Sequence, residues 1–540
     1  MGNLLSIREI DESGFVVNEQ YFAGRDFEHD ISNGVLNIYP AHHLNATFSG
    51  QLTNVEINGV KYSDPEEATK ALKFLKNFRK GGSTPLPTEG NHNELTGRDV
   101  EDCHPFWAIT GLSSVLQLYY GIEFDINIAN PECTRIGNMD LHRNLPIQSK
   151  IRRCLLLDDG SVNYYLHPND STLKEDGTPA DLTGSDGMVM VEVPDLWIKF
   201  EEDGDKRRVL ISEFQLPGFI KWSKDYVSAY EATVDRTASA TPKLASVVNT
   251  TPSFRGGGNT TAEIAHDADG GTLLGKPAAS ISLTNFRTYA RNRGSVSWNC
   301  NTYQMQRKLW WLFAVEYSNF NSQANFNASL TVNGYRQGGL GAGVTDLVAA
   351  NIIGMTGGTH ACIPCGITNS LGNKTGIVAY TMPPEYGAVK TTNVPSYRGV
   401  ENPFGHLWKW ADGCKCMIQA DTDGGLSEFY VCDAPEDFTS TGAENYQLRG
   451  NLPRANTYVK EVILGEHGEN MPLVGGASST TYFCDYFSTS LPASGVSERG
   501  VLFGGHTAAG ANAGFVCAFT NHEAANTVSS FGSLLCFINL

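Results

Sequence analysis

At 540 residues the chain is too long for a single ordinary hydrophobic core, and its length predicts about two to four domains. Its net charge of −18 argues against polyanions such as DNA as ligands, because phosphate binding depends on Lys and Arg side chains. The 56 glycines, with many Ser, Thr and Asn residues, favour turns and short strands over long helices.

The N-terminal region is predicted to be β-rich. Strand-like runs at 35–39 and 55–60 precede an acidic helix start at 63–67. The stretch 81–89 has the composition of a linker, and a short helical segment is predicted over 98–118. No apolar run reaches the length of a membrane span, so we expect no membrane insertion.

The segment 135–235 alternates apolar and polar residues in the manner of strands. The acidic and glycine-containing runs 158–160 and 202–205 each lie between apolar runs, which predicts two hairpin turns. This part of the chain is therefore expected to form a β-rich domain.

Two helices are predicted next, over 285–293 and 302–317. The second has apolar residues at amphipathic spacing: Met305, Leu309, Leu312, Phe313 and Val315. Beyond residue 320, glycine-rich turns separate short strands, and the apolar run 534–538 predicts a buried closing strand.

The run 398–413, RGVENPFGHLWKWADG, contains two tryptophans one residue apart. On a strand, Trp408 and Trp410 would face the same side of the sheet. Large rings with one polar N–H suit the centre of a small core, so we interpret both as scaffold rather than as a sugar-stacking platform. Asn402 and Gly405 fit a tight turn leading into them.

The last segment, 499–540, alternates framework residues with short stretches of Ala, Thr, Asn, Ser and His. The framework residues are Phe503, Gly504, Gly505, Gly514, Phe515, Gly532, Cys536 and Phe537. Small side chains cannot build a hydrophobic core, so this segment must rest on a scaffold formed elsewhere in the chain. The pattern favours a binding face over a reaction centre.

Four segments together carry a resemblance to known proteins. Residues 398–413 resemble the Asn-x-x-Gly-x-x-Trp-x-Trp element of the formylglycine-generating-enzyme type of C-type lectin fold. The segment 499–540 looks like the variable region of proteins diversified by retroelements, best known from phage tail-tip receptor-binding proteins. Upstream, 92–112 is similar to a linker motif of phage tail fibres, and 153–232 resembles a run in fibre proteins that precedes such a lectin domain.

The resemblance implies an α+β, multidomain protein with β-rich N-terminal and middle regions and a C-terminal C-type-lectin-like fold. The expected regions are a virion-attachment region at 1–80, a linker with a helical segment at 81–134, a β-rich spacer domain at 135–235, and a receptor-binding domain at 236–540 with its variable segment at 499–540.

The implied function is a phage tail-fibre protein that binds a host-cell surface receptor, either protein or glycan. It would be made in the host cytoplasm, assemble as a homotrimer with other virion tail proteins, and need no cofactor. The displayed positions would be His506, Thr507, Ala508, Ala509, Ala511, Asn512, Phe519, Asn521, His522, Glu523, Asn526 and Thr527. One departure concerns the end of the variable segment, because relatives usually have Arg where this chain has Leu534.

The alternative is an enzyme. A tailspike-like glycan-degrading enzyme needs paired carboxylates, and no sequence feature isolates such a pair. A formylglycine-type oxidase needs two thiols at a cleft, and only Cys517 and Cys536 lie in the matching region. We predict no catalytic residue.

The metal and phosphate motifs are incomplete. Cys362 and Cys365, with Cys414 and Cys416, lack the spacing of common zinc modules. The pairs Asp267 with Asp269 and Asp421 with Asp423 lack the remaining ligands of a calcium loop. The P-loop-like run 270–276 is followed by Pro277, where a magnesium-binding Ser or Thr is required. We therefore predict structural thiols and turns, and no metal site.

Overall fold

The computed structural model describes the backbone of seven strands within residues 4–61, together with residues 117–347, 361–384 and 390–540. The chain divides into two compact units, Met1–Cys103 and His104–Leu540. Three predicted features lie outside the described residues: the helix that starts near 63 (apart from Pro65), the linker 81–89, and the helical segment 98–118 up to residue 116.

The described part of the N-terminal unit is made of short antiparallel strands. They are β1 (Leu4–Ile10), β2 (Val16–Ala23), β3 (Phe27–Ser32), β4 (Val35–Pro40), β5 (Phe48–Gln51), β6 (Val55–Ile57) and β7 (Val60–Lys61). One sheet has the order β2-β1-β6-β7 and another has the order β3-β4-β5. The strands predicted at 35–39 and 55–60 are thereby confirmed, the second as a hairpin of two strands.

The second unit is also strand-rich. Its first strands are β8 (Tyr120–Asp125), β9 (Thr134–Gly137), β10 (Arg152–Leu156), β11 (Val162–His167), β12 (Asp170–Lys174), β13 (Met188–Val193), β14 (Leu196–Asp203), β15 (Lys206–Ser212), β16 (Ile220–Trp222), β17 (Asp225–Ser228), β18 (Thr233–Asp235) and β19 (Lys243–Ala245). They are followed by β20 (Trp298–Cys300), β21 (Gly376–Thr381), β22 (Thr391–Tyr397), β23 (Val400–Glu401), β24 (Trp408–Gln419), β25 (Ser427–Val431), β26 (Gln447–Asn451), β27 (Thr457–Leu464), β28 (Glu469–Gly475), β29 (Tyr486–Ser488), β30 (Val496–Gly504), β31 (Gly514–Phe519), β32 (Phe531–Gly532) and β33 (Leu535–Ile538).

The α-helices among the described residues of this unit are α1 (Met139–Asn144), α2 (Thr261–Ile264), α3 (Leu283–Arg291) and α4 (Tyr303–Tyr317). Short 3-10 turns occur at Gln148–Lys150, Pro252–Phe254, Asn369–Leu371, Asp421–Asp423, Pro435–Asp437 and Gly510–Asn512. The two predicted helices are confirmed as α3 and α4. Their N-terminal caps are Ser282 and Thr302, whose side chains accept hydrogen bonds from main-chain N–H groups three residues on.

Helix α4 is more buried than its amphipathic pattern predicts. Every one of its residues except Gln304 is buried. Its charged side chains tolerate this because each meets an opposite charge: Arg307 pairs with Glu469 at 2.9 Å, Lys308 with Asp225 at 3.2 Å, and Glu316 with Arg398 at 2.6 Å. The helix therefore runs through the core and not along its surface.

A seven-stranded sheet joins distant parts of the second unit. Its order is β12-β11-β10-β13-β17-β33-β20, and the predicted hairpin turn at 158–160 links β10 to β11. The closing strand β33 pairs with β17 on one side and β20 on the other. The predicted spacer 135–235 and the predicted receptor-binding domain 236–540 thus share one sheet and belong to one compact unit.

Two further sheets complete the main framework. A five-stranded sheet has the order β16-β14-β15-β8-β9, with the predicted turn near 202–205 joining β14 to β15. A nine-stranded sheet has the order β26-β25-β24-β30-β31-β29-β27-β28, with β32 paired in parallel to β24. These sheets confirm a β-rich, α-containing architecture, whereas the C-type-lectin arrangement of the strands stays a prediction.

Candidate functional site

The nine-stranded sheet is apolar on both faces, and the two faces belong to different clusters of the core. On β31, Val516 and Ala518 pack into the larger cluster around α4. Cys517 and Phe519 point to the opposite face and join a second cluster with Trp408 and Trp410. The alternation follows from the two-residue period of a strand.

Aromatic side chains cross this second face from strand to strand. The Trp408 and Phe519 rings are stacked, with centroids 5.1 Å apart and planes inclined by 16°. Tyr458 on β27 is paired directly with Tyr486 on β29, and their ring centroids are 4.9 Å apart. Ser488, two residues beyond Tyr486, is paired with Phe519, so these aromatic residues share one face of the sheet. We call Trp408, Phe519, Tyr486 and Tyr458 the aromatic row.

The two tryptophans have different environments within this face. Both lie on β24 and point to the same side, as predicted. Trp410 is 0% exposed, and its indole Nε1 donates to the Ile281 carbonyl at 3.3 Å. Trp408 is 8% exposed and lies against the half-buried Phe519. Trp410 is scaffold, whereas Trp408 supports a ring that reaches the surface.

Two loops carry most of the residues predicted to be displayed. They are 505–513, between β30 and β31, and 520–530, between β31 and β32. The exposed ones are Ala508, Ala511, Asn512, Glu523, Asn526 and Thr527, and the half-buried ones are His506, Ala509, Phe519, Asn521 and His522. Ten of the twelve thus reach solvent from these loops and Phe519 does so from the end of β31, whereas Thr507 does not.

Thr507 is buried, so it does not belong to the displayed residues, contrary to the prediction. Its side chain is 1% exposed, and its main-chain N–H donates to the carbonyl of His406 at 3.1 Å. This contact holds residue 507 against the turn that precedes β24, so its side chain is enclosed. The predicted turn itself is present, because Asn402 and Gly405 both have left-handed backbone conformations, with φ of 47° and 74°.

Two histidines border the aromatic row. The His506 ring lies 6.0 Å from Trp408, and the His522 ring lies 5.2 Å from Phe519 and 4.9 Å from Phe531. Burial lowers the pKa of both imidazoles below their ordinary value of 6.5. At neutral pH this part of the face therefore presents aromatic and amide groups with little charge.

The first loop, 505–513, is tied to three other parts of the unit. The Tyr458 hydroxyl donates to Asn512 Oδ1 at 2.5 Å. The main-chain N–H of Gly510 donates to the Thr345 carbonyl at 2.8 Å, and Gln323 Nε2 donates to the Gly510 carbonyl at 3.1 Å. These bonds fix the loop without using the exposed Ala508 and Ala511 side chains.

The second loop, 520–530, is held in a similar way by β30. Arg499 donates to the Asn521 carbonyl at 2.9 Å, and the Gly500 N–H donates to the His522 carbonyl at 2.9 Å. Within the loop, Asn526 Oδ1 accepts from the Glu523 N–H at 2.8 Å. Both loops are thus fixed mainly through their main chains, which leaves most of the side chains available to contact a ligand.

Beneath the turn that leads into β24 lies a buried charged network. Glu231 accepts hydrogen bonds from His406 Nδ1 and from Lys409 Nζ, the latter at 2.8 Å. His406 Nε2 faces the N–H groups of Cys362 and Ile363 at 3.0 and 3.1 Å. Burial lowers the pKa of His406, and Glu231 more than offsets this and raises it to about 9, whereas the two N–H groups oppose protonation at Nε2.

The burial of this network indicates a structural role. The Glu231, His406 and Lys409 side chains are at most 1% exposed, so no substrate reaches them. Lys409 completes its bonding with the carbonyls of Gly405 and Leu407 at 3.0 and 2.8 Å. Its role is to hold the strand that carries Trp408.

The positions of the cysteine thiols are those of structural side chains. The described cysteines are all free, and all except Cys133 are buried. Cys517 lies on β31 and Cys536 on β33; burial raises the pKa of Cys517 well above its ordinary value and that of Cys536 to about 12. Both therefore remain protonated at neutral pH. Within the described part of the chain, no group of three or more His, Cys, Asp or Glu side chains is arranged to hold a metal ion.

The aspartates of the calcium-like runs have protein partners. Asp267 accepts from Arg255 Nε at 2.9 Å, and Asp421 accepts from Arg454 at 2.6 Å. Asp269 accepts from the Gly271 N–H at 2.8 Å, and Asp423 from the Gly495 N–H at 2.9 Å. The Asp269 contact closes a local turn, whereas the other three aspartates bond to residues farther away in the chain.

Sequence reasoning missed Tyr458 and Tyr486, which extend the site beyond the final segment. Neither strand carries a local motif, and only the order β31-β29-β27 brings the two tyrosines to the same face as Phe519. It also missed Glu231, which is 175 residues from His406 in sequence. No signal in a single sequence marks either relation.

No known family model matches the chain, and a search of curated proteins found no match. Among the helices that the structure describes, none has both the length and the apolar character needed to cross a membrane.

Proposed function

We propose that the protein is a receptor-binding protein of a virion, such as a phage tail fibre, and that it binds a ligand on the host-cell surface. The observation that carries the proposal is the aromatic row, bordered by two loops of exposed small and polar side chains. The ligand would contact Phe519, Tyr486 and Tyr458, together with loops 505–513 and 520–530.

The physical case rests on the kind of surface these residues make. Binding energy at protein surfaces is concentrated in a few aromatic anchors, surrounded by contacts that contribute little but exclude water. Phe519 is half-buried and rests on Trp408, so it loses little conformational freedom when a ligand covers it. The exposed Ala508 and Ala511 side chains near it can change without removing the bonds that fix the loops.

The sequence resemblance extends the proposal to assembly. Phage tail-fibre proteins that resemble this chain attach through their N-terminal regions and display a C-terminal C-type-lectin-like domain. We infer a homotrimer in which the N-terminal unit contacts other tail proteins. Several copies would raise the strength of a weak single site by about 10²–10⁴-fold where geometry allows simultaneous contact. Rewriting of the displayed codons by a retroelement belongs to the same proposal.

The burial of the thiols fits a protein that binds its ligand without catalysis better than it fits an oxidase. A formylglycine-type reaction needs accessible thiolates, whereas Cys517 and Cys536 are 2% and 0% exposed. No arrangement of the displayed residues favours a glycan-degrading enzyme. We therefore propose no catalytic role.

The test is saturation binding of the labelled full-length protein to intact cells of a bacterial panel. We expect the triple variant His506→Ala, Phe519→Ala, His522→Ala to bind at least about tenfold more weakly, since loss of one aromatic anchor alone commonly costs that much. The matched control is the double variant Phe214→Ala, His467→Ala, which removes the same side-chain types from exposed positions elsewhere.

Two outcomes would contradict the proposal. One is binding by the triple variant that equals wild type or falls only as far as in the control. The other is the absence of saturable binding to every strain of the panel. Release of oligosaccharides from the surface glycan of a bound strain would instead support the enzyme alternative.

A further inference from the structure

A separate cleft lies in the second unit, away from the residues of the aromatic row. Its volume is about 450 Å³, within the range of about 300–1,000 Å³ common for small-molecule sites. The lining residues that matter for binding are Phe326, Arg336, Asn373, Lys374, Thr375 and Arg398. Turns and loops from distant parts of the sequence supply these residues.

The lining of the cleft is positively charged, whereas the protein as a whole is negatively charged. The chain carries a net charge of −18, yet the ionisable side chains that line the cleft are Arg336, Lys374 and Arg398. No Asp or Glu is among the described lining residues. A small anion would therefore meet a local positive potential in a molecule that otherwise repels it.

The three cationic side chains differ in how closely they pair with a carboxylate of the protein. Arg398 is committed, because its Nη2 lies 2.6 Å from Glu316 Oε1 and its Nε donates to Glu316 Oε2 at 3.0 Å. Arg336 is 41% exposed and approaches Glu316 only through Nε, at 3.8 Å. Lys374 is exposed and has no ion-pair partner among the described residues. The Glu316 carboxylate thus serves two of the three cations, mainly Arg398, and the unsatisfied charge lies on Arg336 and Lys374.

The wall beside these cations is rigid and polar. The N–H of Asn373 donates to the Pro168 carbonyl at 3.0 Å, which joins the two turns that form the wall. Asn373 Oδ1 accepts from the Arg153 N–H at 2.8 Å, so its amide nitrogen is left to donate to a ligand. Thr375 Oγ1 accepts from the Arg398 N–H at 3.2 Å and so ties the same wall to the cations.

An apolar element completes the cleft. Phe326 is half-buried, and its main chain bridges to Gly338 and Gly339, which sets its position beside the loop that carries Arg336. Pro168 and Ala328 add further apolar surface. Aromatic rings pack against the C–H faces of sugars, amides bond their hydroxyls, and guanidinium groups bind carboxylates.

We propose that this cleft is a second binding site, and that it takes an acidic saccharide whose carboxylate lies between Arg336 and Lys374. The sugar ring packs on Phe326, and the Asn373 amide donates to a ring hydroxyl or to the carboxylate. The site is independent of the aromatic row and binds without bond cleavage.

The experiment is calorimetric titration of the full-length protein with trigalacturonate and with an α2,8-linked disialoside. We expect saturable binding of at least one of them. The double variant Arg336→Gln, Lys374→Gln should bind the acidic saccharide about tenfold more weakly or worse. The reason is that one hydrogen bond to a charged group contributes roughly a factor of ten to affinity. The control, Lys221→Gln, Lys243→Gln, removes the same charge from exposed positions outside the cleft and should bind as wild type does.

Specificity is tested with a neutral galactose trisaccharide and with inorganic phosphate. Binding of phosphate as tight as that of the acidic sugar would overturn the saccharide proposal and leave a general anion site. Equal binding of the neutral trisaccharide would overturn the role of the cations. Failure of both acidic probes to bind, or equal loss in the cleft variant and in the control, would overturn the site itself.

Discussion

Several buried charged side chains in the described part of 117–540 occur in ion pairs that link distant parts of the sequence. Arg287 donates to both oxygens of Asp412, with Nη2 2.7 Å from Oδ1, and Arg307 lies 2.9 Å from Glu469. Breaking such a pair by removing one partner costs about 3–5 kcal/mol, because the other charge is left buried. These residues fix which loops can meet at the surface, although they contact no ligand themselves.

Buried His142 makes the stability of the protein depend on pH. Burial lowers its pKa from 6.5 to about 4. The unfolded chain therefore takes up this proton first as the pH falls, so stability is full above about pH 6.5 and declines towards pH 4, by up to about 3 kcal/mol. We expect His142→Gln to reduce this decline, as measured by urea unfolding at several pH values between about 7.5 and 4.5.

The control for this measurement is His467→Gln, because the imidazole of His467 is 36% exposed. Its loss of stability with falling pH should match that of wild type. Equal declines in the His142 variant and in wild type would show that His142 does not bind its proton more weakly in the folded state.

At the scale of single elements, the short strand β33 has the widest structural consequences. Its Phe537 ring lies 5.0 Å from Trp298 and 6.2 Å from Tyr226, which belong to the strands on either side. Through the main chain, Ile538 pairs with Asp225 on one neighbouring strand and Cys536 pairs with Asn299 on the other. Four residues therefore hold together strands that are more than 60 positions apart in sequence.

Truncation of this strand's central ring should be costly. Phe537 is 7% exposed, and we expect Phe537→Ala to lower the free energy of unfolding by about 3–5 kcal/mol, through lost burial and the cavity that remains. Urea unfolding of the full-length variant gives this value. Leu540→Ala is the control, since that side chain is 72% exposed and its loss should change stability by less than about 0.5 kcal/mol. Similar small effects of both changes would contradict the central position of β33.

At the scale of the whole molecule, residues 104–540 form one compact unit. A fragment that begins at 236, the predicted domain start, lacks β17 and also lacks two buried acids. Without Asp225, the buried Lys308 would lose its carboxylate partner. Without Glu231, the buried Lys409 would lose its partner in the same way. The longer fragment keeps all of these partners.

We therefore expect the fragment 104–540 to unfold cooperatively and the fragment 236–540 not to do so. Near-ultraviolet circular dichroism and thermal unfolding distinguish the two states, because only fixed side-chain packing gives a near-ultraviolet signal and a sharp transition. A cooperative transition in the fragment 236–540 would contradict this expectation and support the domain boundary predicted from sequence.

Local features were predictable, and relations between distant segments were not. The turn at 158–160, the capped helix α4 and the left-handed turn at Asn402 follow from short-range residue preferences. The position of Tyr486 beside Phe519 depends on strand order, which no local pattern encodes. The burial of Thr507 escaped prediction for the same reason, because its contact is with His406, about 100 residues earlier in sequence.

The two faces of β31 also determine which changes in chain length the protein can tolerate. Val516 and Ala518 face the core around α4, whereas Cys517 and Phe519 face the aromatic row. Inserting or deleting one residue inside this strand would exchange the two sets and place core residues on the outer face. Length differences among variants of this protein should therefore fall within 505–513 and 520–530, while β31 keeps a constant number of residues.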